Sequence, residues 1–266
     1  MAGNQDSWQK ILNRIRYGGG PVKGVLVIVV VWELAVSFFD IPEYLLPAPT
    51  AIFGALVSNF GRIFTNVSIT AFEAICGFFI GNALAVVFAL IFSNVRSARE
   101  SFLPLVVGLQ AVPIVAIAPF IMIWFGSGYT GKIVMAALIC YFPATVVATR
   151  GFLTVSSDAH DVLSAMGATR FQIFRTLALP SAIPSVFSAM ELSAILCAIG
   201  ALVAELSGAS RGAGFLIIEA SYSFKTSMLF AVLVSVAVFT VGWFSLVRMI
   251  GDRLSAKYRL TSVSLN

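Results

Sequence analysis

The chain has 266 residues, of which 59% are hydrophobic and only 11% charged, with a net charge of +5. Soluble globular domains carry about 25% charged residues, so this composition excludes a disordered chain and argues against a water-soluble domain. The three cysteines lie apart in apolar stretches, which excludes a disulfide framework. We therefore expect an all-α integral membrane protein, because helices satisfy their own backbone hydrogen bonds in lipid.

Six stretches have about the length and apolar character of a membrane-spanning helix, which needs about 20 residues to cross a core of about 30 Å. Thirteen of the 17 lysines and arginines fall on the side of these spans that holds the N-terminus, and four fall on the other. The bias predicts a multi-pass protein of the cell membrane with both termini in the cytoplasm. The predicted spans are Gly24–Phe39, Ile69–Phe92, Phe102–Phe125, Ile133–Thr149, Ala182–Leu206 and Met228–Ile250.

The flanking segments differ from the spans in composition. Residues 1–23 form a polar cytoplasmic leader, in which Trp8, Ile11 and Ile15 follow helical spacing among basic residues. This pattern predicts an amphipathic helix lying on the inner membrane surface. Residues 24–250 are the predicted transmembrane domain, and 251–266 the cytoplasmic tail.

Prolines interrupt the chain at two places. After the first span they precede a short apolar segment, Ala51–Phe60, which Thr50 is expected to cap and which is too short to cross the bilayer. The third span carries Pro104, Pro113 and Pro119. Proline in a lipid-embedded helix is tolerated where neighbouring helices or a cavity satisfy the freed carbonyls, so we expect this span to face protein or a pathway.

The stretch 151–180, on the predicted cytoplasmic side, is more polar than its surroundings. A short helix is predicted to reach about Met166, and Gly167 to supply a left-handed C-cap. Thr169 and Gln172 have the spacing of a capping box that starts a second short helix, which Leu179 and Pro180 are expected to end. The pattern predicts a helix–glycine–helix unit joined to spans at both ends.

Four carboxylates lie within or beside the spans, where charge is costly. Glu191 is either a pathway or gate residue or a hydrogen-bonded carboxyl that fixes helix packing; both readings stay open. Glu33 is expected to be structural, and Glu73 has no assigned role. His160 is expected to be a solvated surface residue, and no metal site is expected because its neighbours lack ligand spacing. Gly77 and Gly81 predict close helix packing.

The 151–180 stretch also resembles the EAA loop of ABC importer permeases, in the run Asp161–Ala168 followed by Leu179 and Pro180. Asp161 stands where the family has Glu, and Val162 and Leu163 replace its two alanines. Further segments, in the expected order, resemble the nitrate/sulfonate/taurine permease group, although Glu73 stands where that group has Arg. These segments are Leu46–Pro49, Thr70–Phe78, Pro113–Pro119, Trp124–Gly128, and Glu205 with Gly212–Ile217.

The resemblance implies the type I ABC importer permease fold with about six transmembrane helices and a cytoplasmic coupling helix. It implies a second permease copy, expected to form a homodimer, ABC ATPase subunits that bind ATP and Mg, and a periplasmic or lipid-anchored solute-binding protein. Glu191, Glu205 and Pro113 are the candidate pathway or gate residues. The residues expected to couple to the ATPase are Asp161, Leu163, Ala165, Met166, Gly167, Ala168, Thr169 and Arg170.

The chain has no Walker A motif and no motif for nucleophilic catalysis, so we expect no enzymatic activity, no cofactor of its own and no nucleic-acid partner. A secondary transporter or channel without an ATPase is the main alternative, and a membrane enzyme or a vitamin-importer coupling subunit is less favoured. The resembled group implies nitrate, sulfonate, taurine, bicarbonate, a pyrimidine vitamin precursor or riboflavin as the solute. The predicted spans hold no deep Lys or Arg, which disfavours a dedicated anion site and leaves neutral or cationic solutes open.

Overall fold

The structure, a computed structural model, describes residues 20–155 and 157–263. The predicted surface helix of the leader lies outside the described residues. Within them all regular structure is helical. The helices in chain order are α1 Gly20–Phe38, α2 Pro49–Ser58, α3 Phe60–Asn94, α4 Arg96–Leu109, α5 Ile114–Phe125, α6 Tyr129–Leu153, α7 Ser157–Ala165, α8 Arg170–Ile173, α9 Leu179–Leu206, α10 Ala213–Tyr222 and α11 Thr226–Val263.

Four helices of the described chain are long and apolar enough to cross a membrane, and a bent pair makes a fifth. The four are α3, α6, the continuous helix Arg170–Leu206 and the Thr226–Ser255 part of α11. The predicted first span coincides with α1, whose 19 residues extend about 28 Å, close to the minimum for crossing. The all-α membrane fold is confirmed, and the described residues hold four or five clear spans against the six predicted.

The predicted third span, Phe102–Phe125, is wrong as a single helix. It consists of α4 and α5, which meet at an angle of 100° across a short break. Pro113 precedes α5 with an extended backbone (φ −61°, ψ 109°). The residue before a proline is pushed out of the helical region, and proline itself cannot donate to the preceding turn. The other two prolines, Pro104 and Pro119, remain inside helices.

One compact unit comprises residues 20–60 with 220–231. In it the Glu33 carboxylate of α1 accepts hydrogen bonds from the backbone N–H of Thr50 at 3.0 Å and from its hydroxyl at 2.8 Å. The prediction that Thr50 caps α2 is therefore wrong, since α2 already begins at Pro49 and Ala48 occupies the capping position. A side chain from another helix supplies the acceptor instead, which gives Glu33 the structural role that we expected.

The second unit comprises residues 61–219 and 232–263 of the described chain, and α6 lies at its centre. A Cβ atom on Gly77 of α3 would overlap the Cβ of Ala136, and one on Gly81 would lie 3.0 Å from that of Cys140. On the α9 side, a Cβ on Gly200 would lie 2.7 Å from the Cα of Ala136. The predicted close packing at Gly77 and Gly81 is confirmed, and small residues let α3 and α9 approach the same helix.

Candidate functional site

A buried group of polar residues joins the ends of three long helices. We call it the polar cluster: the side chains of Asn66, Thr70, Glu73, Lys132 and Glu205 with the backbone of 211–214. The Lys132 ammonium of α6 donates to the Glu73 carboxylate of α3 at 2.9 Å, and their side chains are only 5% and 0% exposed. Lys132 also donates to the Arg211 carbonyl at 3.2 Å. A buried pair of this kind needs such close partners to offset the loss of hydration.

Glu205, at the end of α9, makes a second set of hydrogen bonds in the polar cluster. Its carboxylate accepts a hydrogen bond from the Thr70 hydroxyl at 2.8 Å and from the Gly214 N–H at 2.7 Å. The same Thr70 oxygen accepts from the N–H of Ala213 at 2.8 Å. The carboxylate therefore holds the start of α10 against α3.

The contacts around Glu205 require a glycine at position 212. Its φ of +111° lies where side chains are disfavoured, and an added Cβ would overlap the Glu205 carboxylate. Its N–H donates to the Asn66 side-chain oxygen at 2.9 Å. Residues Gly212–Gly214, the stretch that resembles a family motif, therefore place their backbone directly against the Glu205 carboxylate.

The sequence prediction found only part of the polar cluster. Glu205 was expected to organise a gate, and the structure places it among these contacts without testing that role. Lys132, which precedes the predicted span Ile133–Thr149, lies in the first turn of α6 and is buried. Its pairing with Glu73 was missed. The available signal was one acidic and one basic residue near the outer ends of the second and fourth predicted spans, a pattern typical of paired charges in membranes.

The opposite end of the Arg170–Leu206 helix meets a second feature, which we call the Gly167 segment, residues 157–171. Gly167 has φ +80°, and the N–H of Ala168 donates to the carbonyl of Leu163 at 3.0 Å. This closes α7 with a left-handed glycine, as predicted. The capping box is also confirmed, since Thr169 N–H donates to Gln172 Oε1 at 2.7 Å and Gln172 N–H donates to Thr169 Oγ1 at 3.3 Å.

The prediction that Leu179 and Pro180 end the second short helix is wrong. The residues Phe174–Ala178 form a π-helical turn that leads directly into α9. The Leu179 N–H donates to the Phe174 carbonyl, five residues back. This wider turn accommodates Pro180, the second residue of α9, whose ring would otherwise clash with the carbonyl four residues earlier. The Gly167 segment is therefore continuous with a 37-residue helix.

The Gly167 segment exposes apolar side chains. Val162, Met166 and Phe171 are 59%, 78% and 69% exposed. Of the predicted coupling residues, Leu163 and Ala168 are half-buried, and those that lie exposed are Asp161, Ala165, Met166, Gly167, Thr169 and Arg170. Exposed apolar groups on one short segment mark a surface for contact with another molecule.

The remaining candidates, Pro113 and Glu191, are not brought together. Pro113 lines a cavity of about 430 Å³ at the break between α4 and α5, and Glu191 is not among the lining residues. Glu191 is half-buried on α9. Within the ranges 20–155 and 157–263, no three His, Cys, Asp or Glu residues are grouped to hold a metal ion.

Comparison with known proteins identifies the family. Residues 81–257 match the family model described as binding-protein-dependent transport system inner membrane component. The chain belongs to this family. It is 30% identical to a probable ABC transporter permease of Haemophilus influenzae, over 84% of this chain and 94% of that protein.

Two further relatives carry substrate names. The riboflavin transport permease RibX of Chloroflexus aurantiacus is 27% identical and covers 90% of both chains. A putative aliphatic sulfonates permease of Bacillus subtilis is 28% identical, over 94% of this chain and 92% of that protein. The predicted likeness to the sulfonate/taurine group is confirmed.

A solved structure shows the same fold. The chain superposes on a subunit of an amino acid ABC transporter with a TM-score of 0.60, at 16% identity, covering 76% of this chain and 98% of that one. The protein is thus a multi-pass membrane permease of an ABC importer with the type I fold. Members of this family are transport subunits rather than enzymes, and the family implies an ATPase and a binding protein as partners.

Proposed function

We propose that two copies of this chain form the solute pathway of an ATP-driven importer and that the Gly167 segment is the surface on which the ATPase subunits act. The observation that carries this proposal is the continuity of that segment with the Arg170–Leu206 helix. Its exposed Val162, Met166 and Phe171 supply an apolar contact for a groove on the ATPase.

The continuous helix supports a mechanical role. Its 37 residues extend about 55 Å, from the Gly167 segment to Glu205 in the polar cluster. Gly200 of this helix packs closely against Ala136 of α6, and Gly151 of α6 packs closely against Ser185 of this helix, so the two helices are tightly packed at two levels. A displacement at one end is then transmitted to the other, where it opens or closes the pathway.

The orientation follows from this role. The Gly167 segment and both termini lie in the cytoplasm, in agreement with the excess of basic residues on that side. ATP and Mg are bound by the partner ATPase, and this chain supplies the contact surface. A solute-binding protein on the opposite side delivers the solute.

The solute is a small organic or inorganic molecule of the kinds that relatives carry. The names of two relatives indicate different solutes, riboflavin for one and aliphatic sulfonates for the other. Nitrate, taurine, bicarbonate and a pyrimidine vitamin precursor belong to the same group of candidates. A ligand screen of the binding protein whose gene neighbours that of this chain, by calorimetry, would identify the solute.

The test is reconstitution of the permease in proteoliposomes, with and without the ATPase and the binding protein that are encoded beside it. We expect uptake to require the ATPase and Met166→Glu to abolish binding of the ATPase, because a charge would enter an apolar contact. Ser221→Glu, at an exposed position of α10, is the control and should bind normally. Uptake without any ATPase would overturn the proposal in favour of a secondary transporter.

A further inference from the structure

The break between α4 and α5 lies level with the middle of two spanning helices. The cavity beside it is lined by the break itself and by Ile139 and Phe142 of α6 and Leu196 of α9. Phe142 stands near the centre of Tyr129–Leu153, and Leu196 lies well inside Leu179–Leu206. The non-helical backbone is therefore at the depth of the hydrocarbon core.

The break leaves backbone polar groups without partners. Among the described residues, no hydrogen bond ends on the carbonyl oxygens of Gln110, Ala111 or Val112, although their N–H groups donate to the preceding turn. The N–H groups of Ile114 and Val115 likewise have no acceptor. Donors and acceptors thus stand side by side along a short stretch of backbone.

Unpaired backbone at this depth needs water, protein or a solute as a partner, because lipid offers none. Gln110, Ala111, Val112 and Pro113 are exposed in the single chain. An unsatisfied backbone group facing hydrocarbon is strongly unfavourable. The break therefore faces water, a solute or protein rather than lipid, which agrees with the expectation that this span faces protein or a pathway.

The lining of the cavity contains no charged side chain. It is formed by Leu109, Gln110, Ala111, Val112, Pro113, Ile114, Ile139, Phe142, Pro143 and Leu196. The free N–H groups of Ile114 and Val115 favour an anion, as helix N-termini do. The three unpaired carbonyls beside them oppose it, however, and no cationic side chain in the lining replaces the hydration that an anion would lose. An aromatic ring, by contrast, can lie against Phe142 and the prolines. The volume of about 430 Å³ lies within the range of small-molecule sites.

We propose that this cavity is a solute site on the pathway and that it takes an uncharged, ring-containing organic solute with both N–H and C=O groups. Such a solute can pair with the free carbonyls and N–H groups of the break while its ring contacts Phe142. The proposal rests on the function proposed above and narrows the solute class to neutral heterocyclic amides in preference to sulfonates and nitrate.

Thiol labelling in the assembled importer tests this proposal. Cys76 is partly exposed and is first replaced by Ser, whereas Cys140 and Cys197 are buried and are kept. In this Cys76→Ser background, the variant Ala111→Cys is treated with a neutral reagent, hydroxyethyl methanethiosulfonate, or an anionic one, sulfonatoethyl methanethiosulfonate. Ser221→Cys, in the same background, is the control. We expect the neutral-to-anionic rate ratio at position 111 to exceed that at position 221 at least tenfold. Labelling at 111 should also stop uptake, whereas labelling at 221 should not.

An added cation should reverse the preference. Leu109→Lys, at an exposed position in the lining, is expected to raise the rate of the anionic reagent at Ala111→Cys severalfold. Equal ratios at positions 111 and 221, or no reaction at 111, would overturn the proposal, as would an anionic ligand of the cognate binding protein. ATPase binding is measured in the same preparations, so its loss marks failure of the proposed function and its retention isolates failure of the solute site.

Discussion

The two ends of the Arg170–Leu206 helix are held in opposite ways. At one end the polar cluster buries Glu73, Lys132 and Glu205 and ties them to side chains and backbone of other helices. At the other end the Gly167 segment is closed by the hydrogen bonds at Ala168 and Thr169, which join residues three to five positions apart, and it exposes apolar side chains. One end is fixed within the subunit, and the other is left available for a partner. The difference predicts that mutations at the polar cluster affect stability, whereas those at the Gly167 segment affect coupling.

Removing the Lys132 charge should have the largest effect on stability. Lys132→Met leaves Glu73 buried without its cationic partner, and breaking a buried pair from one side costs about 3–5 kcal/mol. We expect this loss in the free energy of unfolding, measured by denaturant titration in lipid nanodiscs. The double variant Lys132→Met with Glu73→Leu should recover most of it. Arg62→Ala, which removes an exposed ion pair with Glu219, should cost no more than about 1 kcal/mol.

Gly212→Ala should be the next most severe change. The added Cβ overlaps the Glu205 carboxylate at a backbone angle that disfavours side chains, and strain of this kind costs about 1–3 kcal/mol. Gly242→Ala is the matched control, because an added Cβ there meets no atom within 4 Å, and it should be neutral or slightly stabilising. Equal melting temperatures for the two variants would show that Gly212 does not cradle Glu205.

The contrast between the two ends also explains what the sequence could predict. The Gly167 segment depends on local rules, because a glycine C-cap and a capping box join residues only a few positions apart. Both were predicted and both are present. The same holds for the long apolar helices and for the close packing at Gly77. Local sequence patterns such as these predict structure well, because the residues that interact are close together in the sequence.

The polar cluster depends on long-range contacts, which local patterns do not encode. Thr70 and Glu205 are 135 residues apart, and Glu73 and Lys132 are 59 apart. Predicting these partners requires the helix packing itself. The break at Pro113 could be predicted only in part. Three prolines in one span indicate an irregular helix, but the sequence does not show which of them separates two helices. The π-helical turn before Pro180 was missed because the proline was taken as a helix end.

Gly167→Val should affect coupling more than stability. Its φ of +80° strains any β-branched residue, although open space surrounds the position. We expect this strain, about 1–3 kcal/mol, to loosen the Gly167 segment locally while the free energy of global unfolding changes little. The solute-dependent stimulation of ATP hydrolysis should be at least tenfold weaker. Gly167→Asn is the control, since Asn tolerates this conformation, and it should retain most of the stimulation. Normal stimulation of ATP hydrolysis in Gly167→Val would contradict the prediction that mutations in the Gly167 segment affect coupling.

Thr169→Val should produce the smallest effect and tests whether the two ends are independent. It removes the hydroxyl that accepts from the Gln172 N–H, and loss of a helix cap costs about 1 kcal/mol. Hydrogen exchange followed by mass spectrometry should show faster exchange in residues 168–175, with unchanged protection around Glu205. If protection at Glu205 falls as well, local loosening travels along the whole helix. The Gly167 segment would then contribute to the stability of the polar cluster, and the two ends would form one cooperative unit.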